Sequence, residues 1–495
     1  MRFKVVVGTI GTILKFFSLA FLIPIIPAVY FWEEQITILE YQIPFTIIVF
    51  LLCFLITLFI GFFLEKIGES KDFTDKEGFA IVSGGWLIVA LFAALPFILT
   101  QSVNSVFEGY FESMSGITTT GATVLSSPLQ NQYLESVLLW RALLQWLGGM
   151  GIIVLSVAVL TRLTSGGRKL IESEAPGPSL NKLRPTITQT AKLLWMVYVF
   201  FTIAEIVALR VAGVSFYDGI YHAFTTMSSG GFSRHWGSIG VYSPIVHWII
   251  IFFMIIAGTN FTLHYYALHG KKGSYRRDPE FKFYISMILI VVGLIFFDLL
   301  ASGYIFQEAL TQSAFQSVSI MTTTGYTTAN YGDWSSFSKF LILLLMFIGG
   351  CAGSTSGAIK HVRILLMLKM LKRKLKKLLH PNIVIPVRLG ENIISDETLH
   401  TISMFFFAYI LIFVISSAAM LAMGLDLISG ASAAASCLGN IGPALGIVDP
   451  SNSYAAIPEA GKVWLTFCMW IGRLEIFTAL ILFIPAAYKR ETFLE

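Results

Sequence analysis

The sequence predicts an all-α polytopic membrane protein: two leading transmembrane helices, then four helix–pore-loop–helix repeats around a pseudo-fourfold pore. Three observations predict it. The chain is 56% hydrophobic and 13% charged over 495 residues, where a soluble domain carries about 25% charge. Ten apolar runs are long enough to cross a bilayer, which takes about 20 residues. Four short polar loops, each centred on one glycine, interrupt the apolar pattern: TTTGAT at 118–123, SSGGFS at 228–233, TTTGYT at 322–327 and GNIGPA at 439–444. Stacked on Gly121, Gly231, Gly325 and Gly442, they align without gaps.

The apolar runs lie near 5–31, 43–64, 79–100, 137–161, 193–213, 245–268, 284–303, 339–368, 402–424 and 463–487. The first follows a basic start and resembles a signal peptide. Its length and the full span behind it make it a retained helix. The stretches before the four loops, near 103–118, 215–229, 306–322 and 426–438, are too short to cross and read as four re-entrant half-helices. The predicted segments are therefore 1–75 for the leading pair, then repeats at 76–165, 185–270, 280–370 and 395–490. Cys53, Cys351, Cys437 and Cys468 sit in apolar context without motif spacing, which implies neither disulfides nor a zinc site.

Orientation follows from Lys and Arg. With the N terminus inside, the connections assigned to the inner side hold 27 of the 34 basic residues, as the positive-inside rule requires. Both termini are then cytoplasmic and all four Gly loops enter from outside. The net charge of +5 needs no nucleic-acid partner. The cluster Lys369–Lys377 anchors the topology, with acidic lipid headgroups or a protein partner as further possibilities.

A dehydrated alkali cation must exchange water for protein oxygens, and inward-pointing backbone carbonyls can supply them. Glycine permits the backbone angles and close approach this needs. The candidate filter is Thr119, Thr120 and Gly121; Ser229, Gly230 and Gly231; Thr323, Thr324 and Gly325; Asn440, Ile441 and Gly442. The two residues before each glycine are the candidate K⁺ ligands, and no acidic side chain stands among them. A single such loop reads better as a buried helix break; four in register do not.

Two other features stand out. Nine consecutive small residues, Gly349, Gly350, Cys351, Ala352, Gly353, Ser354, Thr355, Ser356 and Gly357, break the eighth run in mid-membrane. Irregular backbone at that depth must face protein or a water-filled cavity; the other reading is close helix packing through small residues. Arg473 lies inside the tenth run, where a charge faces a cavity or a partner. Read as one helix, that run puts Glu475 about 200° away, out of direct reach. A carboxylate on another helix is the alternative partner. Glu112 and Asp218 lie on half-helices and are expected to brace filters, as can Glu205 and His222, to which no transport role falls.

These residues resemble the Trk/Ktr/HKT superfamily of potassium transporters, most closely the bacterial Trk-type membrane subunits. FESMSGITTTGAT (111–123), QWLGGMGIIVLSVAVL (145–160), GGCAGSTSGAIKHVR (349–363) and GRLEIFTALILF (472–483) carry the likeness, and the two leading helices favour the Trk subunit over the shorter Ktr subunit. The resemblance implies uptake of K⁺ as substrate across a bacterial inner membrane, without a covalent cofactor. In the superfamily, glycine in all four filters goes with potassium, and serine at the first goes with sodium preference in some plant members. It also implies a homodimer with one pore per protomer and a cytosolic RCK-type, nucleotide-binding TrkA-like regulatory subunit. The loop 349–357 matches the family's intramembrane gating loop, and Arg473 its pore arginine, an electrostatic barrier below the filter. Ser356 and Ala358 stand where relatives often have glycine, which implies a stiffer loop. A sodium or mixed transporter of the same superfamily and a proton-coupled symporter remain the alternatives.

Rival classes lack their signatures. There is no HExxH, no phosphate-binding P-loop and no paired-Asp motif, and GSTSG at 353–357 has Thr rather than Ser at its centre. A membrane enzyme is therefore not expected. A carrier for organic solutes would show inverted repeats, whereas these repeats run in one orientation.

Overall fold

A computed structural model describes the chain except residues 34, 39–40, 70–73, 127–133, 163–186, 272 and 485–495. The basic stretch 162–192, the C-terminal tail and the segment ends at 165, 185 and 490 lie wholly or largely outside the described residues.

The leading pair comes first. Helix Phe3–Ser18, continued to Tyr30, lies antiparallel to Phe45–Ile67. Lipid tails give packed helices no hydrophobic drive, so association rests on close approach through small residues. Here a Cβ on Gly11 would lie 2.5 Å from the Glu65 nitrogen, and one on Gly61 would lie 2.9 Å from that of Lys15. Lys15 and Glu65 pair across the same seam at 2.5 Å.

Four repeats follow. Each has an outer helix, a half-helix, a Gly loop and an inner helix. The outer helices are Asp75–Ala93 with Leu95–Leu99, Ile187–Val211, Pro279–Ala301 and Asp396–Ala422. The half-helices are Val106–Ile117, Phe216–Met227, Phe306–Met321 and Leu427–Gly439, 12 to 16 residues long. Three start on a polar cap, Ser105, Ser215 or Asp426, whose side chain accepts a first-turn backbone N–H. Ile305 precedes the third, Phe306–Met321, without one. Two short antiparallel hairpins, 35–44 and 388–393, stand apart from the helical plan.

Inner helices depart most from expectation. The fourth apolar run is one helix, Glu135–Arg162. The eighth is broken as predicted, into Ser336–Leu345 and His361–Leu379 around the small-residue stretch. The sixth and tenth were predicted continuous and are not. Pro244–Ala257 and Phe261–Leu268 meet at 101°, and Glu459–Arg473 and Phe477–Phe483 at 114°. In the sixth, Asn260 restarts the helix by accepting the Thr262 N–H at 2.8 Å. In the tenth, Glu475 and Ile476 both take left-handed φ, +58° and +50°, and the helix ends at Arg473. The one-helix geometry expected for Arg473 and Glu475 therefore does not apply. Glu475 sits beyond the bend and pairs with Arg363 at 2.5 Å.

Candidate functional site

The four Gly loops share one conformation. Thr119, Ser229, Thr323 and Asn440 all have φ between +54° and +56°, and Gly121, Gly231, Gly325 and Gly442 between +71° and +105°. A left-handed non-glycine residue is uncommon and costs about 1 to 2 kcal/mol, and a β-branched one such as Thr119 or Thr323 is rarer still. Here each is held by its half-helix. The N–H groups of Thr120, Gly230, Thr324 and Ile441 donate to the carbonyls of Ser115, Thr225, Ser319 and Ser436 at 2.8 to 3.0 Å. The N–H one residue earlier bonds Gly116, Thr226, Ile320 or Cys437. With those donors committed to the half-helices, the backbone groups these residues leave to the loops are carbonyls. Each half-helix also directs its C-terminal end, about half a negative charge, at the same region.

Glycine is required at the centre on two counts. Besides the positive φ, a Cβ on Gly121 would overlap the Gly230 carbonyl, on Gly231 that of Thr324 and on Gly325 that of Ile441; on Gly442 it would lie 2.8 Å from the Thr120 carbonyl oxygen. Each glycine abuts the carbonyl preceding the next glycine, and the fourth returns to the first. The contacts thus close a ring in repeat order. A cavity of about 80 Å³ is lined by all four glycines, with Arg141 and Asp449 among its walls.

Individual braces differ between loops. Glu112 accepts the Val124 N–H at 2.9 Å and pairs with Arg141 at 2.7 Å, both side chains fully buried. Arg141 stacks on Phe232, 4.0 Å from the ring centre, tying loop one to loop two. Asp218 pairs with Arg234 at 2.8 Å just past loop two. His222 meets the hydroxyls of Tyr326 and Tyr242 at 3.3 and 3.1 Å, and Tyr326 of loop three also bonds Thr225. Glu205 is fully buried near Thr226. Sequence reasoning expected bracing from these three acids and one histidine but missed Arg141 and Tyr326; Arg141, a lone charge within an apolar run, was a signal.

Below the ring lies the small-residue loop. Its neck is closed by backbone bonds, Gly349 N–H to the Ile359 carbonyl at 2.9 Å and His361 N–H to that of Gly350 at 3.2 Å. The Ser356 hydroxyl donates to the Thr322 carbonyl at 2.8 Å, the Gly357 N–H to the Thr323 hydroxyl at 2.7 Å, and the Thr355 and Ser229 hydroxyls meet at 2.6 Å. The break in the sixth span cradles its other side: Cys351 N–H bonds the Gly258 carbonyl at 2.8 Å and Phe261 N–H that of Gly353 at 3.1 Å. Gly353 has φ +73°. Ala352 and Ser354 complete the stretch, the latter donating to the Cys351 carbonyl at 2.6 Å. The loop is thus part of the underside of the Gly ring, not a free flap beneath it.

Three charged side chains hold it. Arg473, 3% exposed, donates to the Thr355 carbonyl at 2.7 Å and, more weakly, the Gly148 carbonyl at 3.4 Å. Its hydrogen bonds go to backbone rather than to a carboxylate on another helix. Lys360 donates to the Ser356 carbonyl. One oxygen of buried Glu280 accepts both the Ala352 N–H at 2.7 Å and the Val362 N–H at 3.1 Å. It bridges the loop to the first turn of the basic helix His361–Leu379. Glu280 and Lys360 went unnoticed in the sequence, because their partners are backbone groups, which for Glu280 lie 72 and 82 positions away.

Comparison with known proteins agrees with this architecture. The family model described as TrkH, cation transport protein, matches residues 46–490. A Trk system potassium uptake protein TrkH of Salmonella typhimurium is 42% identical over 85% of this chain and 88% of its own length. One from Vibrio parahaemolyticus is 37% identical over 99% and 100%, and TrkG of Escherichia coli 33% over 97% of each. The crystal structure of the potassium transporter TrkH from Vibrio parahaemolyticus superposes with a TM-score of 0.88, covering 99% of this chain and 100% of that one at 36% identity.

Proposed function

Because the chain belongs to the TrkH family of cation transport proteins, a family of multi-pass membrane proteins, we propose that it takes up potassium through its carbonyl ring. The route crosses the cytoplasmic membrane of a bacterium, with both termini inside and the Gly loops entering from outside. The observation that supports this most is the closed cycle in which each loop glycine abuts the carbonyl before the next glycine. A bare K⁺ meets oxygens there from the residues before Gly121, Gly231, Gly325 and Gly442. Carbonyl dipoles, backed by four half-helix ends, replace its hydration shell.

The loop 349–357 is the gate, and Arg473 both latches it and adds positive charge to the path. A cytosolic nucleotide-binding subunit acts on the basic helix His361–Leu379, whose first turn is joined to the gate through Glu280. The protein works as a homodimer with a pore in each protomer, and the four repeats at 76–165, 185–270, 280–370 and 395–490 each supply one quarter of that pore. A regulator shifts the gate only by as much as it binds one arrangement better.

Purified protein in liposomes with K⁺ or Na⁺ as the only cation, with and without the regulatory subunit, tests this. K⁺ flux well above Na⁺ flux is expected; equal flux of both, or none under any condition, overturns the reading.

A further inference from the structure

We propose that Gln145 is a specificity-determining residue of the ring: it takes the place of a side chain that loop two lacks and sets the direction of the Gly230 carbonyl. The proposal rests on the carbonyl-filter reading.

The argument starts from the four positions just before the central glycines. Loops one and three carry threonine there. The Thr120 hydroxyl bonds that of Thr118 at 2.7 Å, and Thr324 bonds Thr322 at 2.8 Å. Each pair cross-links its loop at the residue that bears a ring carbonyl. Loop four has Ile441, fully buried, and the neighbouring Asn440 carboxamide donates to the Thr120 hydroxyl at 3.0 Å and the Met469 carbonyl at 2.9 Å. Loop two has Gly230, with no side chain to pack or bond.

Gly230 is not glycine for backbone reasons, since its φ is not positive. Space is the reason. A Cβ there would overlap the carboxamide of Gln145, which comes from the inner helix Glu135–Arg162 and is fully buried. Its Nε2 donates to the Gly230 carbonyl at 2.7 Å and its Oε1 accepts the Phe232 N–H at 3.1 Å. One carboxamide therefore grips loop two on both sides of Gly231. It occupies one lone pair of the Gly230 oxygen, leaving the other for an ion. Loop two then presents its carbonyl as rigidly as the threonine loops.

A reciprocal exchange tests this. In Gln145→Met the volume stays and both hydrogen bonds go. The K⁺-over-Na⁺ flux ratio is expected to fall about tenfold, the upper worth of one neutral hydrogen bond, with size-exclusion profile and thermal stability near wild type. Gly230→Thr alone collides with Gln145 and is expected to lower the ratio as well. The double variant Gln145→Ala with Gly230→Thr rebuilds the hydroxyl pair of loops one and three, now with Ser228, and is expected to restore discrimination. A Gln145→Met protein with the wild-type ratio, or a double variant no better than Gly230→Thr, overturns the proposal. Gly121→Ser and Gly325→Ser, measured in parallel, separate the two failures. If they shift the ratio while the Gln145 variants do not, only Gln145 is misassigned. If none shifts it, the filter reading itself is wrong.

Discussion

Replacing Arg473 separates two effects that the structure superimposes on one side chain. Its guanidinium donates to the Thr355 carbonyl at 2.7 Å. A hydrogen bond from a charged group contributes about 1.5 to 3 kcal/mol. Losing about 2 kcal/mol of latch shifts a closed–open equilibrium about 30-fold. The same charge repels a passing cation by about 4 kcal/mol at 4 Å in a medium of effective dielectric 20. Arg473→Ala removes both terms and is expected to raise K⁺ flux in liposomes and weaken its dependence on the regulatory subunit. Arg473→Lys keeps the charge but not the fork that reaches both Thr355 and Gly148. If the latch dominates, Lys behaves like Ala; if the charge dominates, Lys behaves like wild type. Arg473→Met fills more of the buried space and controls for lost packing. Unchanged or lower flux in both neutral variants, at equal yield of folded protein, refutes a role for Arg473 in holding the path closed.

Three further outcomes are expected. Gly121→Ser and Gly325→Ser each put a Cβ against a ring carbonyl at φ +81° and +79°. They should weaken K⁺-over-Na⁺ discrimination in the flux assay while the protein still folds, and wild-type ratios in both would count against the ring. Ala358 has φ +50°. Ala358→Gly should relieve about 1 kcal/mol of strain and favour the observed loop arrangement, lowering flux without regulator about fivefold; higher flux would mean that this arrangement is the open one. Glu280→Ala leaves the Ala352 and Val362 N–H groups without their acceptor, so the loop should exchange its amide hydrogens faster and flux should respond less to the regulator's nucleotide. Glu280→Gln keeps an acceptor and should recover part of both, and identical exchange in Glu280→Ala and wild type would show that the bridge holds nothing.

A large deletion within the loop is a poor test of gating. Removing Gly353–Ser356 would shorten the proposed gate. Ser356 and Thr355, however, bond the Thr322 carbonyl and the Ser229 hydroxyl, so the deletion would strip supports from the ring as well.

Features that local chain chemistry dictates were readable from sequence. Membrane class follows from runs of apolar residues, since desolvating the backbone forces helices wherever such runs occur. The four Gly loops were legible because positive φ and close approach exclude every side chain, which leaves the same mark four times. The break at Gly349–Gly357 showed itself because nine small residues cannot hold a helix. Tertiary structure alone decided what depends on distant partners. The bends after Ala257 and Arg473 lie in sequences that read as continuous helix; they form where the 349–357 loop and the basic helix supply hydrogen bonds and an ion pair. Glu280 meets Ala352 across 72 positions and Gln145 meets Gly230 across 85. A carboxylate or carboxamide bonded to a backbone group leaves no complementary residue type to find in sequence, because every residue offers the same N–H and C=O. Only the packed chain selects which one it meets.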